Sequence, residues 1–368
     1  MRQLPSLPKT ETIHSERDTA RHPLKFTMGR FIDGFLPWII FPPLAAAAFY
    51  CIILQTEFNG FGAAMKEQCP DKPLAGSFPF RLPYTGIQGL DAFLCILAAT
   101  FHESFGPDSL PFLGYFLTQS TSVVLFVYFE SARRRSRFTV RFPVVFTVLM
   151  QLVSFGATFS FYWLPFIATG SAKAVGSANT VVTQADAEAI IFGNILGYAL
   201  PTIGMLTLFN PYMTVLWQFI PILASLATQI YLTLRSPKKH PQSGYKTIRA
   251  NYVLIFVVNI ITHIAIVGPK VADIEALKRF FLPSLSVNTS NATNERLILN
   301  LLQWDFAFGM GASLLGTLWL ARNARQLGVL LIWNTLGSVL LSPGAAMAGV
   351  AIWREAKLHP RGERSKKL

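Results

Sequence analysis

The sequence contains few charged residues: they make up 14% of its 368 positions, whereas hydrophobic residues make up 52%. Soluble domains carry roughly 25% charged residues, so this composition argues against a soluble globular protein. Repeated apolar stretches of about 20 residues are long enough to cross a bilayer as helices. We therefore predict an all-α fold, a polytopic transmembrane helical bundle.

Cysteine and histidine are also scarce. The three cysteines, Cys51, Cys69 and Cys95, include no CxxC pair, and they predict neither a disulfide framework nor a zinc site. The six histidines are scattered singly, which excludes the clustered histidine boxes of di-iron desaturases and hydroxylases. We predict no bound metal.

Motifs for phosphorylated ligands are absent as well. Neither DDxxD nor NDxxDxxxD occurs in the chain, which disfavours magnesium-dependent ionisation of a prenyl diphosphate. The chain has no Walker A motif either, which argues against an ATP-driven pump. We predict that the protein uses no cofactor.

Apolar stretches dominate what is present. Nine candidate spans lie near residues 34–54, 86–102, 109–130, 142–164, 190–209, 213–234, 252–269, 298–320 and 327–352. We expect seven to nine spans, with a tight hairpin at Asn210-Pro211. The predicted organisation is a polar basic segment at 1–33, the helical bundle at 34–353 and a basic tail at 354–368.

The net charge of +13 comes from basic clusters between the apolar stretches, mainly at 133–141 and 235–249. Such clusters are typical of the positive-inside pattern and of contact with anionic lipid headgroups, so we predict membrane lipids rather than nucleic acid as partners. Two glycosylation sequons begin at Asn288 and Asn291. With nine spans, a lumenal sequon loop would place 133–141 on the lumenal side too, so the orientation stays open.

Four carboxylates lie within or beside the apolar stretches: Asp91, Glu103, Glu130 and Asp305. A carboxylate in hydrocarbon is unfavourable and is kept where it faces a cavity or a partner, so all four are candidate catalytic residues. Each has a structural alternative. Asp91 suits the first turn of a helix, Glu103 a polar helix end, and Glu130 an ion pair with the arginines that follow it.

Asp305 is the first choice for a catalytic acid, because it lies in a strongly apolar stretch between Trp304 and Phe306. A buried, neutral carboxylic acid beside aromatic surface can donate a proton to an alkene or an epoxide. The alternative is a carboxylate at the membrane interface, with Trp304 as an aromatic belt residue.

Aromatic and polar side chains in other apolar stretches are candidate substrate-binding residues. Aromatic faces attract cations, and the 31 phenylalanines supply many such faces, although most must simply face lipid. An intramembrane histidine either binds a ligand or bonds to a neighbouring helix. The candidates are Trp304, His263, Tyr128, Phe159, Trp163 and Gln119.

Three short patches resemble the fungal integral-membrane terpene cyclases of meroterpenoid and indole-diterpene biosynthesis. They are the turn HESFGP at 102–107, the helix end FESARR at 129–134 and the closing stretch SPGAAMAGVAIWRE at 342–355. The resemblance implies metal-free, proton-initiated cyclisation of a lipophilic, prenylated and epoxidised small molecule. It also implies residence in the endoplasmic reticulum membrane.

Two other functions fit the same composition. A secondary transporter also needs intramembrane carboxylates, but it is expected to contain an internal repeat, and none is visible in the chain. A non-catalytic membrane assembly partner or receptor would tolerate neutral substitutions at all four carboxylates. The sequence does not determine the oligomeric state.

Overall fold

The computed structural model describes residues 31–70, 78–133, 138–174, 180–285 and 292–359. These residues form helices, with one isolated antiparallel bridge between Thr183 and Ser243, which confirms the all-helical prediction. The sequons at Asn288 and Asn291 lie outside the described residues, as do almost all of the N-terminal segment and most of the basic tail.

Within the described ranges, five helices are long and apolar enough to cross a membrane. They are α1 (Ile32–Phe58), α4 (Leu110–Ser131), α7 (Gln184–Leu208), α10 (Tyr245–Lys270) and α12 (Asn294–Leu320). A pair bent by 63°, made of α8 (Pro211–Gln218) and α9 (Ile220–Leu234), passes the same test together and is either a sixth, broken span or a re-entrant loop. The predicted total of seven to nine spans is not confirmed.

The remaining helices are shorter. They are α2 (Phe61–Glu67), α3 (Gln88–Glu103), α5 (Pro143–Leu152), α6 (Phe155–Ala168), α11 (Ile274–Phe281), α13 (Ala324–Leu340) and α14 (Pro343–Leu358). Arg354 and Glu355, which the sequence pattern assigns to the tail, are buried residues of α14.

Helix α4 is the centre of the bundle. Within its apolar stretch 78% of the residues are buried, compared with 17% in α10, so α10 lies at the periphery with most of its surface available to lipid. Helices α10, α12 and α14 pack against α4, and α6 packs between α1 and α12. The predicted hairpin at Asn210-Pro211 is confirmed, because Asn210 caps α8 directly after α7 ends.

The apolar stretch predicted at 142–164 is two helices that form a hairpin. Its break is at Val153-Ser154, where the Ser154 hydroxyl accepts a hydrogen bond from the backbone N–H of Ala157 and caps α6. Helix α5 has ten residues, about 15 Å of rise, which is half of a hydrocarbon core of about 30 Å. The hairpin therefore enters and leaves the bundle at the same end.

A second hairpin replaces the stretch predicted at 327–352. Ser342 caps α14 and separates it from α13. At the tip, the backbone N–H of Gly344 donates to the side chain of Gln119, halfway along α4. At its other end α14 reaches Glu130, at the end of α4. Both hairpins thus have their open ends beside the C-terminal end of α4.

The prediction about the cysteines is wrong: Cys69 and Cys95 form a disulfide bond. Cys69 follows α2 and Cys95 lies within α3. The two cysteines are 26 positions apart in sequence, and α2 and α3 contact each other beside the bond. Such a tertiary contact leaves no trace in cysteine spacing.

Candidate active site

A cavity of about 390 Å³ lies between the central helices and the tip of the first hairpin. Residues of α1, α2, α3, α4 and α12 form most of its wall, and Tyr198 and Trp217 close the remaining side. Of the four carboxylates singled out in the sequence, Asp305 is the one that lines this cavity.

Asp305 lies on α12 and contacts the hairpin tip. The backbone N–H of Gly156 donates a 2.5 Å hydrogen bond to Asp305 Oδ1, and the Phe155 backbone and the Ser154 side chain also bond to this carboxyl. Among the described residues no lysine, arginine or histidine forms an ion pair with it. The carboxyl therefore depends on the N-terminus of α6 for its hydrogen bonds.

Gly156 allows this close contact because it has no side chain. A Cβ atom at this position would lie 2.8 Å from the Asp305 backbone oxygen and 3.0 Å from Oδ1. The same atom would also lie 3.0 Å from the side chain of Ile52 on α1. Three elements therefore meet at this glycine, and any larger residue would separate the tip from Asp305.

Aromatic side chains form much of the cavity wall. Phe116 on α4 packs edge-on against Phe155 with ring centroids 5.3 Å apart, beside the end that carries Asp305. On the far side, Phe101 and Trp217 pack at 4.8 Å. The wall combines one acid with several π faces, and such faces stabilise a nearby positive charge.

The cavity wall reaches the outer surface of the bundle. Two lining residues, Leu152 and Phe93, are exposed on 59% and 41% of their surfaces. Glu57 and Lys66 also line the cavity, and their exposed side chains form an ion pair of 3.3 Å. The cavity thus has an apolar edge that can face lipid and a charged edge.

Glu130 belongs to a buried group of four charges at the opposite end of α4. Arg354 donates to both carboxylate oxygens of Glu130, at 2.7 and 2.8 Å, and Arg133 donates to Glu130 at 3.0 Å and to Glu355. The arginines also bind backbone carbonyls of Thr180 and Ala172. This group joins α4 to α14.

Glu103 and its neighbour His102 bind different partners. Glu103 accepts hydrogen bonds from Gln68 and Asn294, at 3.1 and 3.2 Å, whereas His102 pairs with the hydroxyl of Thr214. The two side chains do not bond to each other. Glu103 joins the loop after α2 to the start of α12.

Asp91 lies at the start of α3, away from the cavity lining. It accepts hydrogen bonds from the Thr85 backbone and hydroxyl, each at 2.7 Å, and from the Gly86 backbone. Burial raises the pKa of Asp91, but these hydrogen bonds and the charge of Arg81 more than offset burial and hold the pKa below its usual range. Asp91 is therefore an ionised group that fixes the turn before α3.

None of the six side chains proposed to bind substrate lines the large cavity. Gln119 and His263 bond to neighbouring groups, the Asn259 carbonyl and the Tyr115 hydroxyl respectively. Trp304 donates to the Ser284 carbonyl, and Tyr128 lines a separate small void of about 10 Å³.

The other two candidate substrate-binding residues, Phe159 and Trp163, pack inside a buried aromatic cluster on α6.

The residues of the hairpin tip are site residues that hydropathy does not reveal. Gln151 and Ser154 line the cavity, but the apolar stretch around them has the length of a single span. A signal was present, because serine is a preferred N-cap residue and Ser154 precedes a new apolar run.

The chain is similar to a known protein family and to a named relative. The family model of the CtvD domain matches residues 38–358. Over 245 residues the chain is 26% identical to the protein named terpene cyclase ascI of Acremonium egyptiacum, a match that covers 61% of this chain and 64% of that relative. The match thus spans just under two thirds of the relative's length. No solved structure matches the chain.

Proposed function

This chain belongs to the CtvD domain family and is related to a terpene cyclase, and from this premise we propose that it is a membrane-bound terpene cyclase. The proposed reaction is metal-free and begins with the transfer of a proton from the protein to the substrate. Its proposed substrate is a prenylated, epoxidised meroterpenoid intermediate of secondary metabolism.

The placement of Asp305 carries the proposal. Its carboxyl is buried in an aromatic cavity without a partner cation among the described residues. A carboxyl in such surroundings is more easily buried in its neutral, protonated form. Glu103, Glu130 and Asp91 are held by other residues outside the cavity, so we assign the acid to Asp305.

The N-terminus of α6 supports proton release. When Asp305 gives up its proton, negative charge develops on its oxygens, and the Gly156 N–H already donates to Oδ1. The Phe155 backbone also stabilises the charged carboxylate. A helix N-terminus also favours negative charge. These donors need no reorganisation during the reaction, which is the condition for effective electrostatic stabilisation.

The reaction conserves atoms. The O–H bond of Asp305 breaks and the proton passes to the epoxide oxygen. The C–O bond opens and leaves positive charge on a tertiary carbon, and the electron pair of a neighbouring alkene then forms a carbon–carbon bond. Loss of a proton from carbon, or capture of the cation by the substrate's own hydroxyl with loss of that hydroxyl's proton, gives an isomer of the substrate, and the released proton restores the neutral acid.

Cavity size and surface fit such a substrate. Ligand pockets span roughly 300–1,000 Å³, and a cavity of about 390 Å³ suits a single prenyl chain. Phe116 and Phe155 can face the developing cation, and each ring can stabilise it by about 0.5–2 kcal/mol. The exposed Leu152 and Phe93 give a lipophilic molecule a route from the membrane.

The proposed setting is the endoplasmic reticulum membrane, crossed by six spans with α8 and α9 as one of them. The two hairpins correspond to the apolar stretches at 142–164 and 327–352, and α3 corresponds to the stretch at 86–102. No metal, nucleotide or ion gradient takes part in the proposed reaction.

The test is an assay on microsomes that express the wild type, Asp305→Asn or Glu103→Gln. A farnesyl-type prenylated phenol with a terminal epoxide is supplied without metal or nucleotide, and products of unchanged mass are sought by mass spectrometry. The proposal expects an isomer from the wild type and from Glu103→Gln, and none from Asp305→Asn. Wild-type microsomes that give no isomer, but show gradient-dependent uptake, would indicate a transporter instead.

A further inference from the structure

The cavity contains one buried hydrogen-bond donor without a partner among the described residues. This donor is Nε2 of Gln151, in the last turn of α5. Gln151 lines the cavity together with Ser154 and Asp305, and Ser154 bonds to the Asp305 carboxyl. The free amide therefore belongs to the acid end of the cavity.

Several other polar groups of the cavity wall have hydrogen-bond partners. The hydroxyls of Thr56, Ser120 and Tyr198 donate to backbone carbonyls, and the Trp217 indole donates to Thr202. A buried donor without a partner is unfavourable, and such groups in native structures call for an explanation. Nε2 itself has almost no accessible surface, so it can donate to a ligand oxygen in the cavity when the Gln151 side chain rotates toward it.

We propose that Gln151 is a substrate-binding residue whose amide N–H donates to an oxygen at the reacting end of the substrate. This inference rests on the proposed function. The amide is neutral and cannot supply the proton itself, but it can hold an oxygen in front of Asp305 while that carboxyl donates. An oxygen with two lone pairs accepts from both groups at once.

The proposed contact makes Gln151 a determinant of specificity. A site built to hydrogen-bond an oxygen rejects an analogue that lacks it, because the buried donor is then left unpaired. The cavity should therefore prefer a chain that ends in an epoxide over the same chain that ends in an alkene.

The experiment measures binding rather than turnover, in purified protein that carries Asp305→Asn. The dissociation constants of a farnesyl-type phenol epoxide and of its alkene precursor are compared with and without Gln151→Met. Gln218→Met is the matched control, because Gln218 also has unpartnered buried amide atoms but does not line the cavity.

We expect Gln151→Met to reduce the preference for the epoxide about tenfold, and Gln218→Met to leave it unchanged. An unchanged preference in Gln151→Met would overturn the assignment of Gln151. Failure of the proposed function has a different signature: the wild type binds the epoxide but releases no isomer. If neither the epoxide nor the alkene binds, the assignment of Gln151 and the proposed cyclase function are both wrong.

A second inference rests on the two ends of the bundle. At one end lie the loop between α9 and α10, with Arg235, Lys238 and Lys239, and the connection from α12 to α13, with Arg322 in the connection and Arg325 in the first turn of α13. The buried Glu130 group and the open ends of both hairpins lie at this end too. With α8 and α9 as one bent span and both hairpins returning to the end at which they begin, these described basic residues and Arg133 fall on one side.

The opposite end carries the disulfide bond. Gln68, next to Cys69, bonds to Glu103, which also bonds to Asn294 at the start of α12. The described residues on both sides of the sequons lie at this end too, since Asn294 bonds to Glu103 and Leu285 accepts a hydrogen bond from Gln55 near the end of α1. Disulfides persist in oxidising compartments, and basic loops stay in the cytosol.

We infer that the basic end faces the cytosol and the disulfide end faces the lumen. Helices α2 and α3, which the disulfide joins, form the cavity wall, so the cavity opens toward the lumenal leaflet. A substrate that reaches it must already have been made membrane-soluble by prenylation.

Cysteine labelling in sealed microsomes tests this orientation. Lys238→Cys and Val271→Cys are each introduced with Cys51→Ala, and a membrane-impermeant maleimide is added before or after detergent. The inferred orientation requires Lys238→Cys to react without detergent and Val271→Cys to react only after it. The reverse pattern would overturn the orientation and leave the cyclase proposal standing.

Discussion

Gly156 donates its backbone N–H to the carboxyl of Asp305, although 149 residues separate the two in sequence. The contact places the tip of a half-length hairpin against the middle of a spanning helix. It gives the acid its hydrogen bonds without a cation. The hairpin is thus part of the candidate site rather than an element of the bundle wall.

Gly156→Ala should reduce activity strongly while the protein still folds. The added Cβ would lie 2.8 Å from the Asp305 backbone oxygen, and overpacking of this kind destabilises by about 1–3 kcal/mol. Turnover and thermal stability in detergent are the measurements. Gly311→Ala, on the same helix as Asp305 but with open space around it, is the control and should change neither quantity.

Glu130→Gln should destabilise the protein without a specific effect on chemistry. Removing one member of a buried charged group leaves its arginines unpaired, at about 3–5 kcal/mol. Thermal unfolding and expression level report this loss. Glu275→Gln, in an exposed pair with Lys278, should lose at most about 1 kcal/mol. Equal stability of the two variants would contradict the structural role of Glu130.

Loss of the disulfide should weaken substrate binding more than chemistry. Closing a loop of 26 residues stabilises by about 3 kcal/mol in the chain-entropy account, and the bond holds together two helices of the cavity wall. Cys69→Ala with Cys95→Ala should raise KM more than it lowers kcat. Cys51→Ala, which removes the buried free thiol, serves for comparison and should leave KM as it is.

Phe116→Leu should slow cyclisation or change the ratio of ring products. It removes a π face from the cavity wall, and a cation–π contact of about 0.5–2 kcal/mol corresponds to roughly 2- to 30-fold in rate. Product analysis by chromatography measures both effects. Phe126→Leu removes a buried ring outside the cavity, and a product change of the same size there would contradict the assigned wall.

The sequence predicts the helical class and Asp305, because hydropathy and an isolated carboxylate are local signals. It does not predict the hairpins, since Val153 and Leu341 lie in continuous apolar stretches. The N-cap residues Ser154 and Ser342 were the available clues. The sequence suggests that Glu130 pairs with nearby arginines, and Arg133 does so. Arg354 lies 224 residues away, and only the packing of α14 on α4 brings it there.

The most direct measurement is the single-turnover rate of purified Asp305→Asn with saturating substrate, together with the substrate dissociation constant. General acid catalysis contributes about 10²- to 10⁴-fold, so the rate should fall by that factor while the dissociation constant stays within a few-fold of wild type. A rate within about threefold of wild type, with binding intact, would show that another group supplies the proton.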